Sequence, residues 1–110
     1  MITRYALFEG EVRDGQTEAF REAVTTELLP LWKQFPGASA VRLSFSESRD
    51  DGAPEFPLIL AVSYPNQEAM QGALASPIRM ESRKVTESVV ARFFDGRIHH
   101  HVTTASDHVL

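Results

Sequence analysis

Along this chain the hydrophobic period switches from two residues to about 3.6 and back again, twice, and few folds accommodate that alternation. Ile2 to Val12 reads as a strand, with Ile2, Arg4, Ala6 and Phe8 on one face and Thr3, Tyr5 and Leu7 on the other. Arg13-Asp14-Gly15 supplies a turn, and Asp14 or Thr17 is placed to cap a helix beginning there. From Thr17 to Phe35 the period is helical, because Phe20, Val24, Leu28, Leu31 and Phe35 form a stripe that Glu18, Arg21, Glu22 and Lys33 avoid. Pro30 lacks a backbone donor and crowds the preceding turn, so a kink or break is expected near Leu29. Pro36-Gly37 stops the helix.

Ala38 to Ser48 alternates again, Val41, Leu43 and Phe45 against Arg42, Ser44 and Ser46. A polar loop from Arg49 to Glu55 leads into a nearly continuous apolar strand from Phe56 to Tyr64. Asn66 is placed to cap a short helix through Ala75, with Met70 and Leu74 inward. Ser76-Pro77 is a second helix start, and that helix is expected to run to Arg92 with Ile78, Val85, Val89 and Phe93 inward. Asp95-Gly96 reads as a turn, Arg97 to Thr104 as a β-branched, histidine-rich strand, and Ala105 to Leu110 as a flexible tail.

The order is strand, helix, strand, strand, helix, strand. It predicts a single α+β domain over residues 1–110: a ferredoxin-like βαββαβ unit, with an antiparallel four-stranded sheet and helices on one face. Each strand keeps apolar groups on both faces, Tyr5 and Leu7 against Ala6 and Phe8, Ile59 and Ala61 against Leu60 and Val62, so whichever face the helices leave open is apolar too. A patch of that kind is larger than a monomer usually exposes, so a homodimer through the open sheet face is expected.

Composition narrows the function classes. Hydrophobic residues make up 43% and charged residues 24%, which separates the chain from disordered sequences. A net charge of -4 and the lack of a basic, aromatic-interleaved stripe argue against nucleic acid. The longest apolar run, Leu58 to Val62, falls far short of the roughly 20 residues of a membrane span. With no secretory signal pattern and no cysteine, a cytoplasmic protein without disulfides, thiolate chemistry or cysteine metal sites is expected.

Two segments carry a family resemblance: Leu28-Leu29-Pro30-Leu31-Trp32 before Phe35-Pro36-Gly37, and Phe93-Phe94-Asp95-Gly96-Arg97 before the last strand. With the element order, they make residues 2 to 104 resemble the dimeric α+β barrel superfamily. That group includes the ethyl tert-butyl ether degradation (EthD) type proteins and the antibiotic-biosynthesis monooxygenases. The resemblance implies activities such as cofactor-independent oxygenation of phenols, haem degradation, polyketide cyclisation and lactone isomerisation. No catalytic set of that group matches residue by residue, and the first helix here lacks the histidine some members carry.

Among candidate site residues, His99-His100-His101 is the densest titratable cluster. Alternation sends His100 to the side of Ile98 and Val102, where it can serve as a general base in a cleft or simply as a half-buried, hydrogen-bonded histidine. His99 and His101 share the other face without a third ligand, so no metal site is expected. Arg79 and Arg83, one turn apart, together with Arg42 form a possible clamp for a carboxylate or enolate, against which stands an ordinary Arg83–Glu87 surface pair. Trp32, Phe8, Tyr64, Phe45 and Tyr5 are either pocket wall or plain core, with Trp32 the strongest wall candidate. No nucleophile elbow, phosphate-cradling glycine loop or metalloprotease motif occurs.

These residues predict a small-molecule-binding enzyme working without cofactor on an aromatic or polyketide-like compound. In it His100 handles a proton, and Trp32, Phe8, Tyr64, Arg42 and Arg79 shape or charge the site. A non-catalytic ligand-binding or stress-associated accessory protein of the same fold is the alternative.

Overall fold

The computed structural model describes all 110 residues. Strand β1 (Ile2–Val12) leads into α1 (Thr17–Ala23), a π-helical turn (Val24–Leu28) and α2 (Leu29–Trp32). Strands β2 (Ala40–Phe45) and β3 (Leu58–Tyr64) come next, then α3 (Gln67–Leu74), α4 (Pro77–Phe93) and β4 (Phe94–Thr104). The sheet order is β2-β3-β1-β4 and every pairing is antiparallel, so β1 is flanked by both β3 and β4. The fold is the expected ferredoxin-like α+β arrangement.

Register decides which side chains meet. Across the helix-facing side run three rows: Leu58–Phe8–Ile98, Leu60–Ala6–His100 and Val62–Arg4–Val102. In β3 the alternation is strict: Leu58, Leu60, Val62 and Tyr64 are buried and the residues between them are only half-buried. Phe20, Ala23, Val24, Leu28, Trp32, Met70, Ala73 and Val89 descend from the helices onto this layer. Phe94 joins them, edge-on to Phe8 at 5.9 Å and stacked on Phe20 at 6.3 Å between ring centroids. Each large side chain taken fully from water stabilises the fold by about 1.5–3 kcal/mol, and the core is one contiguous cluster.

The open sheet face is mixed rather than uniformly apolar. Tyr5, Leu7, Ile59 and Ala61 hold its centre, half-buried in the single chain. Around them a Thr3–Ser63 hydroxyl pair at 2.9 Å and a His99 Nε2–Glu9 Oε1 contact at 2.6 Å link neighbouring strands.

One local expectation takes a specific form and two are corrected. The proline kink takes the form of the π turn before Leu29, where Leu28 sits at φ -102°. One residue added to the turn accommodates a ring that an α-helix rejects. Neither Asp14 nor Thr17 caps α1, because Gln16 occupies the cap position with no side-chain bond, whereas Asn66 does cap α3 by accepting from Ala69 N–H at 2.9 Å. Asp95-Gly96 is extended: α4 passes directly into β4, and Phe94 is already in strand geometry at φ -131°, ψ 135°.

The Asp-Gly pair lies flat because Gly10 faces Gly96 across the ladder. A Cβ on Gly10 would stand 2.2 Å from Asp95 O, and one on Gly96 would stand 2.1 Å from Glu9 O. The two backbones approach where only hydrogen fits, and Gly10 holds φ +148°. Arg13 fastens the same junction with paired bonds of 3.2 Å to both Asp95 carboxylate oxygens and a third of 2.9 Å to Ala91 O.

Candidate functional site

Between the sheet and the helices lies a pocket of about 410 Å³. Its floor is sheet: Arg4, Ala6 and Phe8 from β1, Leu60, Val62 and Tyr64 from β3, Ile98 and His100 from β4. Trp32 and Phe35 close one side, and Arg79, Ser82, Arg83, Thr86 and Glu87 of α4 form the other. Ala6 gives the cavity its depth, since the middle row carries a methyl between Leu60 and His100 where its neighbours carry larger groups.

Polarity is graded along β1. At the Phe8 end the lining is aromatic and aliphatic. Two residues away, about 7 Å along the strand, the Ala6 row presents His100, and a further 7 Å or so brings Arg4. Tyr64 lies beyond Val62 at that charged end, and Arg79 comes from the first turn of α4.

Arg4, Arg79 and Arg83 belong to none of the chain's five ion pairs, and their guanidinium groups make no hydrogen bond within the protein. The expected Arg83–Glu87 surface pair is not formed. Glu87 is the only carboxylate in the lining, so the pocket is electropositive inside a chain of net charge -4.

The titrating groups register this field. Desolvation first, then the charges of Arg4, Arg79 and Arg83, push His100 down to about 4. Its ring is therefore neutral near pH 7, although the residue stays exposed along the β4 edge. Burial pushes the Tyr64 phenol up, and Arg4 and Arg79 partly offset that rise by attracting its anion. Burial lowers Arg4, and repulsion from Arg79 adds to it. Tyr64 is 1% exposed and Trp32 3% exposed. Neither the phenol O–H nor the indole N–H has a protein partner, yet no sealed polar atom lacks one, so both open onto accessible space at the pocket.

Of the residues singled out from sequence, His100, Trp32, Phe8, Tyr64 and Arg79 converge on this cavity. Arg42 does not. It pairs with Ala61, on the opposite face from the buried Leu60 and Val62, and points away from the helices. Phe45 also lies outside, beneath the Arg21 guanidinium at 5.2 Å, and Tyr5 is on the open face. His99 is engaged with Glu9, and no group of three or more His, Cys, Asp or Glu side chains gathers as a metal site.

Arg4 is the main residue that sequence reasoning missed. Its signal was an arginine sharing a strand face with Ile2, Ala6 and Phe8. Ser82, buried on α4, had no such signal: its hydroxyl donates to Arg79 O at 2.8 Å, and Thr86 donates to Ser82 O at 2.7 Å.

A β2-β3-β1-β4 antiparallel sheet, helices over one face and a pocket between the layers define a ferredoxin-like α+β protein. Solved structures agree. An EthD family protein from Bacillus halodurans superposes with a TM-score of 0.77 at 19% identity, over 96% of this chain and 99% of that one. SnoaB, a cofactor-independent oxygenase from Streptomyces nogalater, gives 0.66 at 16% identity over 98% and 95%. A dimeric ferredoxin-like protein of unknown function from Jannaschia gives 0.63 at 16% over 94% and 98%. No protein-family model matches the sequence, and no curated protein matches it. No helix is long and apolar enough to cross a membrane.

Proposed function

We propose that this chain is a small-molecule enzyme of the dimeric barrel type that removes a proton from an aromatic or polyketide-like compound. That is the opening step shared by cofactor-independent oxygenation, cyclisation and isomerisation. The observation that carries this reading is a neutral imidazole, His100, beside three unpaired guanidinium groups over an apolar floor. His100 accepts the proton, and the arginines stabilise the enolate or phenolate left behind. A base near 4 is weak in the empty pocket. An anion bound among the arginines neutralises their field and returns His100 toward the range where proton transfer is efficient. Trp32 and Phe8 supply flat apolar surface to the body of the compound.

The subunit works as a homodimer through the open sheet face, with Tyr5, Leu7, Ile59 and Ala61 at its centre. The assembly of the Jannaschia protein supports this reading, as does the apolar character of these four side chains.

The depressed basicity of His100 favours a second reading, in which the pocket holds its ligand without turnover. Deuterium uptake into the acidic methylene of anthrone, monitored by NMR in D2O, separates the two. The enzymatic reading expects an acceleration of about a hundredfold over buffer that His100→Ala abolishes. Binding of anthrone with no acceleration leaves the second reading in possession.

A further inference from the structure

The charged end of the pocket is built from three groups on three different elements: Arg4 of β1, Tyr64 of β3 and Arg79 of α4. They feel one another, since Arg79 depresses Arg4 and both guanidinium charges favour the Tyr64 phenolate. Two cations held together with no carboxylate within ion-pair reach repel each other, and a folded protein retains that arrangement at a cost unless an anion completes it. A phenol hydroxyl with no protein acceptor stands beside them.

We propose that Arg4, Arg79 and Tyr64 form an anchor for a carboxylate, so that the compound taken by this pocket is a carboxylated aromatic. The inference rests on the proposed pocket function and adds the substrate class to it. Guanidinium groups match the planar two-oxygen geometry of a carboxylate, and the Tyr64 hydroxyl donates to the remaining lone pair. With the carboxylate at the Arg4 row, a flat ring system extends along β1 across the Ala6 row toward Phe8 and Ile98. His100 then faces the middle of the ring system, about one strand repeat from the anchored group. Anchor and proton acceptor act on different atoms of the same molecule. Arg83, absent from the charges acting on Arg4 and Tyr64 but present at His100, serves the reacting end.

The test is calorimetric titration of 2-naphthoate and of its uncharged isostere 2-naphthamide into the whole chain. Trp32 is the sole tryptophan, so its indole N–H resonance reports independently whether either probe enters the pocket. The expected result is that naphthoate binds about tenfold or more tighter than naphthamide. The double variant Arg4→Gln/Arg79→Gln erases the difference and leaves naphthamide affinity unchanged. If the double variant fails to fold, Arg79→Gln alone, on the rim of α4, shows a severalfold loss for naphthoate only. Equal affinity for the two probes, or naphthoate binding indifferent to the substitutions, overturns the anchor and leaves the pocket standing. Failure of both probes to shift the indole resonance or release heat overturns the pocket reading, and the anchor falls with it.

Discussion

Ala6 of β1 stands directly opposite His100 of β4, so the smallest side chain on the pocket floor lies beside its only imidazole. The pairing makes cavity depth and proton chemistry neighbours. Ala6→Val puts two methyl groups where a ring is to lie. Overpacking of this size costs about 1–3 kcal/mol of stability, and the protein should remain folded. Affinity for 2-naphthamide should fall about tenfold or more, measured by the same titration, because the blocked space is the apolar part of the site.

His100 offers a pH signature. Its folded value of about 4 lies below the 6.5 of an unhindered imidazole, so the unfolded chain binds the proton first as pH falls. The His100 contribution to stability is therefore intact above pH 6.5 and is lost progressively down to about 4. In an NMR titration the His100 ring should have its midpoint near 4, and Arg4→Gln should move that midpoint upward by removing the largest positive neighbour. Desolvation, the leading cause, remains in the variant, as do the charges of Arg79, Arg83 and His99, so the return is partial. A midpoint near 6.5 in the unaltered chain would contradict the account of the field.

The Gly10–Gly96 contact predicts an asymmetric glycine series. Gly96→Ala drives a methyl into Glu9 O and the Phe94 ring, and should cost about 3 kcal/mol or more in urea denaturation. Gly15→Ala adds a methyl with nothing within 4 Å at φ +75°, so only the left-handed backbone is penalised, at about 1 kcal/mol. Equal losses at the two positions would mean that β1 and β4 can part without consequence.

Leu7 tests the assembly. It sits near the centre of the open face, between Ile59 and His99 across the neighbouring strands. Leu7→Arg places a charge where a second copy is to pack. In sedimentation velocity the unaltered chain should run as a pair, and the variant as a single 12.3 kDa particle.

The fold was legible where side-chain period alone decides the outcome. β1 and β3 alternate or are continuously apolar, and the two long helices carry stripes, so element order and sheet composition could be read directly. What the period does not encode is close approach between distant backbones. The Asp95-Gly96 dipeptide has turn chemistry, and only its partner Gly10, far earlier in the chain, keeps it extended. The site was legible to the extent that strand faces were. His100 shares its face with Ile98 and Val102, and Tyr64 ends a buried row. The same logic put Arg42 opposite Val41, Leu43 and Phe45, and grouping it with Arg79 overrode a pattern that was already correct. It also put Arg4 among apolar neighbours, an anomaly that marks a charged floor once the helices are known to lie above it. Trp32 depended on helix phase. The sequence stripe ran through Leu31, whereas Leu31 is half-buried and Trp32 is buried.

That difference traces to the π turn. In an α-helix each residue advances the azimuth by about 100°, so one residue absorbed by a wider turn sets everything after it back by that angle. Phe20, Val24, Leu28 and Trp32, spaced uniformly by four, would drift around an ideal helix, yet all four are buried. Pro30 thus acts less as an interruption than as a clutch that re-indexes the last helical turn. A chain one residue shorter between Val24 and Leu28 would run as an unbroken α-helix with Leu28 and Trp32 at the same phase, but it would lack the wider turn that accommodates the Pro30 ring.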